Sequence, residues 1–273
     1  MTFGTLSTTD LVKDGDREPW RLTTRQIELG LSILSPIVLL AAWEFAARAG
    51  WIDLRFFPAP SQVFVEAAAM IRSGQLIEDV LISLQRIVIG FTIGAVPGVV
   101  IGLAMGLFGK VRAIIQPLVD ATFPIPKIAI LPLFILILGL GEESKYAIIA
   151  TAVIYLVLLN TAAGVRNIDR IYLDVGRNYR AGKWMMFTDV ALPGALPMIF
   201  AGLKLGMGVA LLVIVSAEFV GARSGIGYLI WTSWQTFQVE QMYVGLMVSA
   251  VLGFATTALI DALERVLVPW KRH

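Results

Sequence analysis

Long apolar runs alternate with short polar segments along this chain, and the runs have bilayer length. Six stretches, at about 29–49, 83–108, 113–139, 146–165, 195–220 and 242–263, each hold roughly the 20 mostly apolar residues that a helix needs to cross hydrocarbon. They are too long and too uniformly apolar for barrel strands. The pattern therefore predicts an all-α integral membrane protein with about six transmembrane helices. Between the first two spans, "FFPAPSQVFVEAAAMIRSGQLIEDV" mixes apolar and polar residues at helical spacing. The connection over about 50–82 is expected to form short helices at the membrane interface. No second soluble domain fits, so the expected organisation is a tail over 1–28 followed by a transmembrane domain over 29–273.

Composition sharpens this picture. Of the 273 residues 57% are hydrophobic and 15% charged, with a mean hydropathy of +0.78. A soluble domain of this length is closer to half apolar and a quarter charged. There is no cysteine, and the only histidine is His273. Disulfides and thiol catalysis are excluded, and no catalytic, metal or cofactor site is expected in this chain. Asp10, Asp14, Asp16 and Glu18 stand where a signal peptide would carry basic residues.

The loop charges give an orientation. One side holds Lys13, Arg17, Arg21, Arg25, Lys110, Arg112, Arg166, Arg170, Arg177, Arg180, Lys183, Arg265, Lys271 and Arg272. The other holds Arg48, Arg55, Arg72, Arg86, Lys145 and Arg223. The bias predicts that both termini and the 166–193 loop are cytosolic, as in a multi-pass protein of the bacterial inner membrane.

Several residues inside the spans carry information. Gly90, Gly94, Gly98, Gly102 and Gly106 recur every fourth residue in the second span, and Gly202 and Gly206 repeat the spacing in the fifth. Such spacing makes a groove into which another helix can pack closely. The third span contains Pro117, Pro124, Pro126 and Pro132, which predict a broken or kinked element. Asp120 and Lys127 in that span, with Pro124 and Pro126, are candidates for lining a translocation path; the alternative is that the two charges snorkel to an interface. Glu218 either faces such a path or pairs with a cation such as Arg86. Glu44, Lys204 and Asp261 are the other embedded charges, and Lys204 is expected to snorkel. Trp231 and Trp234, beside Tyr228, fit an interfacial aromatic belt.

The 166–193 loop, "RNIDRIYLDVGRNYRAGKWMMFTDVALP", is basic and helix-prone, with Val175, Tyr179, Trp184, Met186, Phe187 and Val190 among its charges. An amphipathic helix between two spans can act as a lever that a soluble partner grips. Leu192 and Pro193 are expected to stop it, with the next span starting after Pro197. Gly176, Gly182 and Lys183 echo a phosphate-binding loop. However, five residues separate the glycines where four are required, and Trp184 stands where Ser or Thr would hold magnesium. The chain is therefore not expected to hydrolyse ATP.

This segment resembles the coupling loop of ABC importer permeases, which carries Glu-Ala-Ala, a glycine four residues on, and a later Leu-Pro. Aligning that Leu-Pro on Leu192 and Pro193, and a frequent aromatic on Trp184, puts Asp174, Val175 and Gly176 at the Glu-Ala-Ala positions. Arg180 falls at the glycine position, and Gly182 is expected to take over the turn. "FFPAPSQV", "PIPKIAILPL", "GLGEESK", "LPGALPMIFAGLKLGMGVAL" and "SAEFVGARSGIGYLI" look like the branch that serves nitrate, taurine and alkanesulfonates, over about 57–270. The resemblance implies a type I permease core in which spans two to six surround the path. It also implies a homodimer, two cytosolic ATPase subunits that bind ATP-Mg and contact Asp174 to Pro193, and a periplasmic binding protein; no nucleic acid is involved. A stand-alone channel or secondary transporter is the alternative, but no inverted repeat supports it.

The orientation is testable in this cysteine-free chain. A cysteine replacing Asn178 should stay unlabelled by a membrane-impermeant thiol reagent in intact cells, while one replacing Trp231 is labelled; the reverse pattern would overturn the topology.

Overall fold

The computed structural model describes residues 24–270, and no strand occurs among them. Residues 1–23 of the expected tail and Lys271, Arg272 and His273 lie outside the described residues. The chain divides into two compact units, Met1–Leu54 and Arg55–His273. The first contributes helix α1, Thr24–Arg48, whose 30–48 stretch is long and apolar enough to cross a membrane.

In the second unit, α2 (Pro60–Ser73) has proline at its first position and ends on Gly74 at φ 84°. The left-handed glycine turns the chain straight into α3, Gln75–Leu107. The expected interfacial connection thus supplies one short helix, and its last residues already belong to the 33-residue α3.

The third span is broken, as its prolines predict. Helix α4 (Gly109–Thr122) and a 3₁₀ turn, Lys127–Ile130, leading into α5 (Leu131–Leu138) meet at 85°. Then follow α6 (Glu142–Arg166), α7 (Arg170–Asn178), α8 (Lys183–Met185), a π-helical turn over Met186–Ala191, α9 (Leu192–Glu218), α10 (Ile226–Gln235) and α11 (Val239–Leu267). Five helices can span a bilayer, or six if the bent pair counts as one span. The loop holding α7 and α8 joins α6 to α9 at one end of the bundle, while α2 and α10 lie at the other.

Close approach of α3, α6 and α9 makes the core. A Cβ added at Gly90 would lie 2.7 Å from Ile149 Cβ; one at Gly94 would lie 2.5 Å from the Ala150 carbonyl oxygen, and one at Gly102 2.6 Å from that of Leu158. Gly202 meets Asn160 and Val157 in the same way. Lipid is as apolar as leucine, so helices in a membrane associate through such packing rather than by escaping water. Ile148, Val153, Val157, Ala210 and Ile214 fill the interior at zero exposure.

Gly94→Ala should therefore push α3 off α6 and lower stability by about 1–3 kcal/mol. Gly208→Ala, where nothing lies within 4 Å, should be neutral or stabilising by up to about 1 kcal/mol. Thermal unfolding in detergent compares the two, and equal midpoints would refute the packing argument.

Candidate functional site

The loop between α6 and α9 is built from two short pieces. Asp169 caps α7 by accepting a hydrogen bond from the Ile171 amide at 3.0 Å. Helix α7 then closes on Arg180, which has φ 53°. The Ala181 amide donates to the Gly176 carbonyl and the Arg180 amide to that of Arg177, both at 2.9 Å. This six-to-one and five-to-two pair is the glycine-type helix ending, here made by an arginine. Gly182, expected to take over the turn, instead has φ −65° and ψ 164° and begins α8. The bond pattern fixes the left-handed residue at the second position after the helix, so the strain falls on Arg180 whatever its side chain.

Gly176 is buried because any side chain there would strike the Met186 sulfur. That contact lays α7 against the π turn. Leu192 and Pro193 do not stop the element: helix runs through them, and both Pro193 and Pro197 lie within α9. Proline fits a helix start, and the π turn just before it absorbs the register change where the Asp189 carbonyl loses its α-helical donor. Asp174 and Arg177 form an exposed ion pair at 3.3 Å. Tyr179 is 84% and Trp184 75% exposed, the latter tilted against Phe187 with ring centres 5.8 Å apart. Tyr172, Val175, Val190, Pro193 and Trp270 help line a mostly apolar groove of about 660 Å³ beneath α7.

The path candidates fall in two separate places. Asp120 is exposed and accepts from Gln116 Nε2 at 2.8 Å, not from Lys127. Pro124 and Pro126 lie in the non-helical break, where residues 123–126 are all exposed. Lys127 Nζ turns back onto the carbonyls of Thr122 and Phe123, at 2.8 and 3.1 Å, and lies 4.2 Å from the Tyr155 ring centre. Its charge thus meets the negative end of α4.

Glu218 is fully buried at the other end. Its carboxylate accepts from Ser83 Oγ at 2.8 Å, Arg86 Nη1 at 2.8 Å and the Gly227 amide at 2.7 Å. Asp79 accepts from the Gly225 amide and Ser83 Oγ from the Ile226 amide, so with Gly227 three successive amides at the start of α10 have side-chain acceptors. Arg86 also makes a two-pronged pair with Glu142 at 2.6 and 2.7 Å, and Lys145 joins Glu142 at 3.4 Å. Arg86 and Lys145, counted above as outer-loop charges, are buried within α3 and α6.

Lys204 does not snorkel: its ammonium pairs with Asp261 and the buried Glu264 of α11. A charge in an apolar run was the one sequence signal for these partners, and it names no partner by itself.

Residues 98–273 match the family described as binding-protein-dependent transport system inner membrane component. The chain is 33% identical over 239 residues to a putative aliphatic sulfonates transport permease protein, SsuC, of Bacillus subtilis (strain 168), covering 88% of this chain and 87% of the relative. It is 31% identical over 260 residues to the taurine transport system permease protein TauC of Escherichia coli (strain K12), covering 93% and 94%. To the nitrate import permease protein NrtB of Synechocystis sp. the identity is 28% over 241 residues, covering 85% and 86%. The fold is similar to a chain in the crystal structure of an amino acid ABC transporter with histidines, with a TM-score of 0.58 at 15% identity over 75% of this chain and 97% of that one.

Removing the Glu218 carboxylate leaves the buried Arg86 short of a partner and uncaps Gly227. Glu218→Ala should cost about 3 kcal/mol or more, seen as a lower melting temperature in detergent and faster proteolysis of the 219–225 segment. An unchanged melting temperature would show that the network does not hold α10.

Proposed function

The chain belongs to the family of binding-protein-dependent transport system inner membrane components, the permeases of ABC importers, and from that premise we propose that it imports a small oxyanion-bearing solute. Relatives over nearly the whole chain serve aliphatic sulfonates, taurine and nitrate, and a sulfonate or nitrate group is common to these substrates. Separate ATPase subunits drive the cycle by gripping the 174–193 loop from the cytosol, and they carry the ATP-Mg. A binding protein delivers the solute at the end that holds α2 and α10.

The observation that carries this reading is the surface of the loop. Tyr172, Tyr179 and Trp184 stand exposed among Arg170, Arg177, Arg180 and Lys183. Large aromatics flanked by arginine are what the centre of a protein interface offers. The loop is also continuous with α9 through the π turn, so a push on it passes directly into a core span.

A second copy of the chain completes the path. The 123–126 break is non-helical, and its residues are exposed partway along the bent span. Such backbone is tolerated at membrane depth only against protein or a water-filled cavity. A homodimer with the two breaks facing a shared path meets that requirement.

Arg180 separates coupling from folding. Arg180→Gly relieves the left-handed strain, worth about 1 kcal/mol, and should leave ATPase co-purification within a few-fold of the parent. Arg180→Glu keeps the strain and adds repulsion against an acidic or polar groove, and should reduce both co-purification and binding-protein-stimulated ATP hydrolysis several-fold more. Pro193→Ala should lower uptake by freeing the angle between loop and span. Parental hydrolysis and uptake in both Arg180→Glu and Pro193→Ala would remove the loop from the transmission route.

A further inference from the structure

Lys127 differs from the other cations set within the spanning helices. Arg86 pairs with Glu142 and Glu218, Lys145 with Glu142, and Lys204 with Asp261 and Glu264. Lys127 has only two carbonyls and an aromatic face, and no carboxylate among the described residues pairs with it. Asp120, on the same broken span, is engaged by Gln116 instead.

The position is deep. Tyr155, over whose ring the ammonium sits, lies near the middle of α6 (Glu142–Arg166). Helix α4 alone is 14 residues long, about 21 Å of rise before the break. An ammonium beside the middle of α6 lies about 18 Å along that helix from either end, farther than a lysine side chain extends. A lone charge facing lipid there is strongly disfavoured.

The surroundings hold Lys127 in place without neutralising it. Carbonyl dipoles and a ring face orient the ammonium, and Tyr155 Oη donates to Thr122 Oγ1 at 2.9 Å, tying the α4 terminus to α6. Phe123, Ile125 and Ile128 around it are all more than 40% exposed, so the site opens outward from the chain. This is a fixed positive charge with apolar walls and one open side.

We propose that Lys127 is the anion-contacting residue of the translocation path, where its ammonium receives the sulfonate or nitrate group of the passing solute while Phe123 and Ile128 wall the apolar remainder. The inference rests on the import of an oxyanion proposed above. The partial compensation suits a transport site: bare of a carboxylate it attracts an anion, and with two carbonyls already bound it does not hold one tightly. A carboxylate-paired lysine would not attract the anion in the first place.

The chain's lack of cysteine permits a direct test. Phe123→Cys and, separately, Ile128→Cys are made in the full chain in membrane vesicles. Each thiol is reacted with 2-sulfonatoethyl methanethiosulfonate and with the cationic trimethylammonium-ethyl reagent, both rates being normalised to a free thiol. The anionic reagent should be favoured about tenfold or more. Lys127→Gln should bring the ratio near parity, and Lys127→Arg should restore it. Methanesulfonate should protect the thiol when Lys127 is present and not in Lys127→Gln.

Unreactive thiols at both positions would place the site in lipid or packed protein and overturn the proposal. A charge preference that Lys127→Gln leaves intact, or an absence of methanesulfonate protection, would overturn it equally. The rates are read at a thiol, independently of ATP hydrolysis. Lost uptake with an intact charge preference would therefore count against the coupling reading and not against this site.

Discussion

Backbone-to-backbone contact between α3, α6 and α9 is the constraint on which the rest of this molecule depends. Where solvent is hydrocarbon, burying leucine gains almost nothing, and helices must be held by fit. Glycines at every fourth position of α3 let Ile149, Ala150 and Leu158 of α6 press against its main chain. Gly202 and Gly206 bring α9 to the other side of α6. The result is a three-helix slab in which the central helix touches both neighbours along its length.

The charges are arranged around this slab according to what each end must do. At the α2 and α10 end, Arg86, Glu142 and Glu218 lock α3, α6, α9 and the start of α10 together, and every oxygen of Glu218 is used. Near the middle of α9, Lys204 ties that helix to α11 through two acids. A buried pair gains little over apolar packing, but breaking it is expensive. Such pairs therefore fix which helices move together. The bent α4–α5 element carries none of these pairs. Residues 123–126 at its break are exposed, and Lys127 beside them pairs with no carboxylate among the described residues.

The loop between α6 and α9 is arranged differently, and the coupling proposed for it would require a segment stiff enough to transmit a push and open enough to be gripped. Gly176 packs α7 onto the π turn, and the hydrogen bonds at Arg180 end α7 sharply. Beyond the turn, helix continues without a stop into α9, while Tyr179 and Trp184 remain exposed. The arginine at a left-handed position is a local cost retained in an otherwise well-satisfied turn, and such costs gather where surfaces are used.

The sequence by itself determined where the spans lie, that the third is broken, that an amphipathic loop joins α6 to α9, and which family the chain resembles. Each of these is a property of a contiguous segment: hydropathy over a window, proline content, or a motif at fixed spacing. It could not decide which charges meet. Glu218 reaches Arg86 across 132 residues and Arg86 reaches Glu142 across 56, and such pairings exist only once glycine contacts have set the helices side by side. Pairing with Arg86 was open for Glu218, while Lys204 was expected to snorkel because its partners on α11 had no local trace. Gly182 was expected to turn the chain because glycine prefers left-handed backbone, yet the residue that must turn is chosen by where the hydrogen bonds of α7 run out. Similarly, Pro193 marked an end by local preference, and the π turn before it allowed the helix to continue. Local chemistry sets what each segment is; only the packed structure sets which groups at a distance satisfy one another.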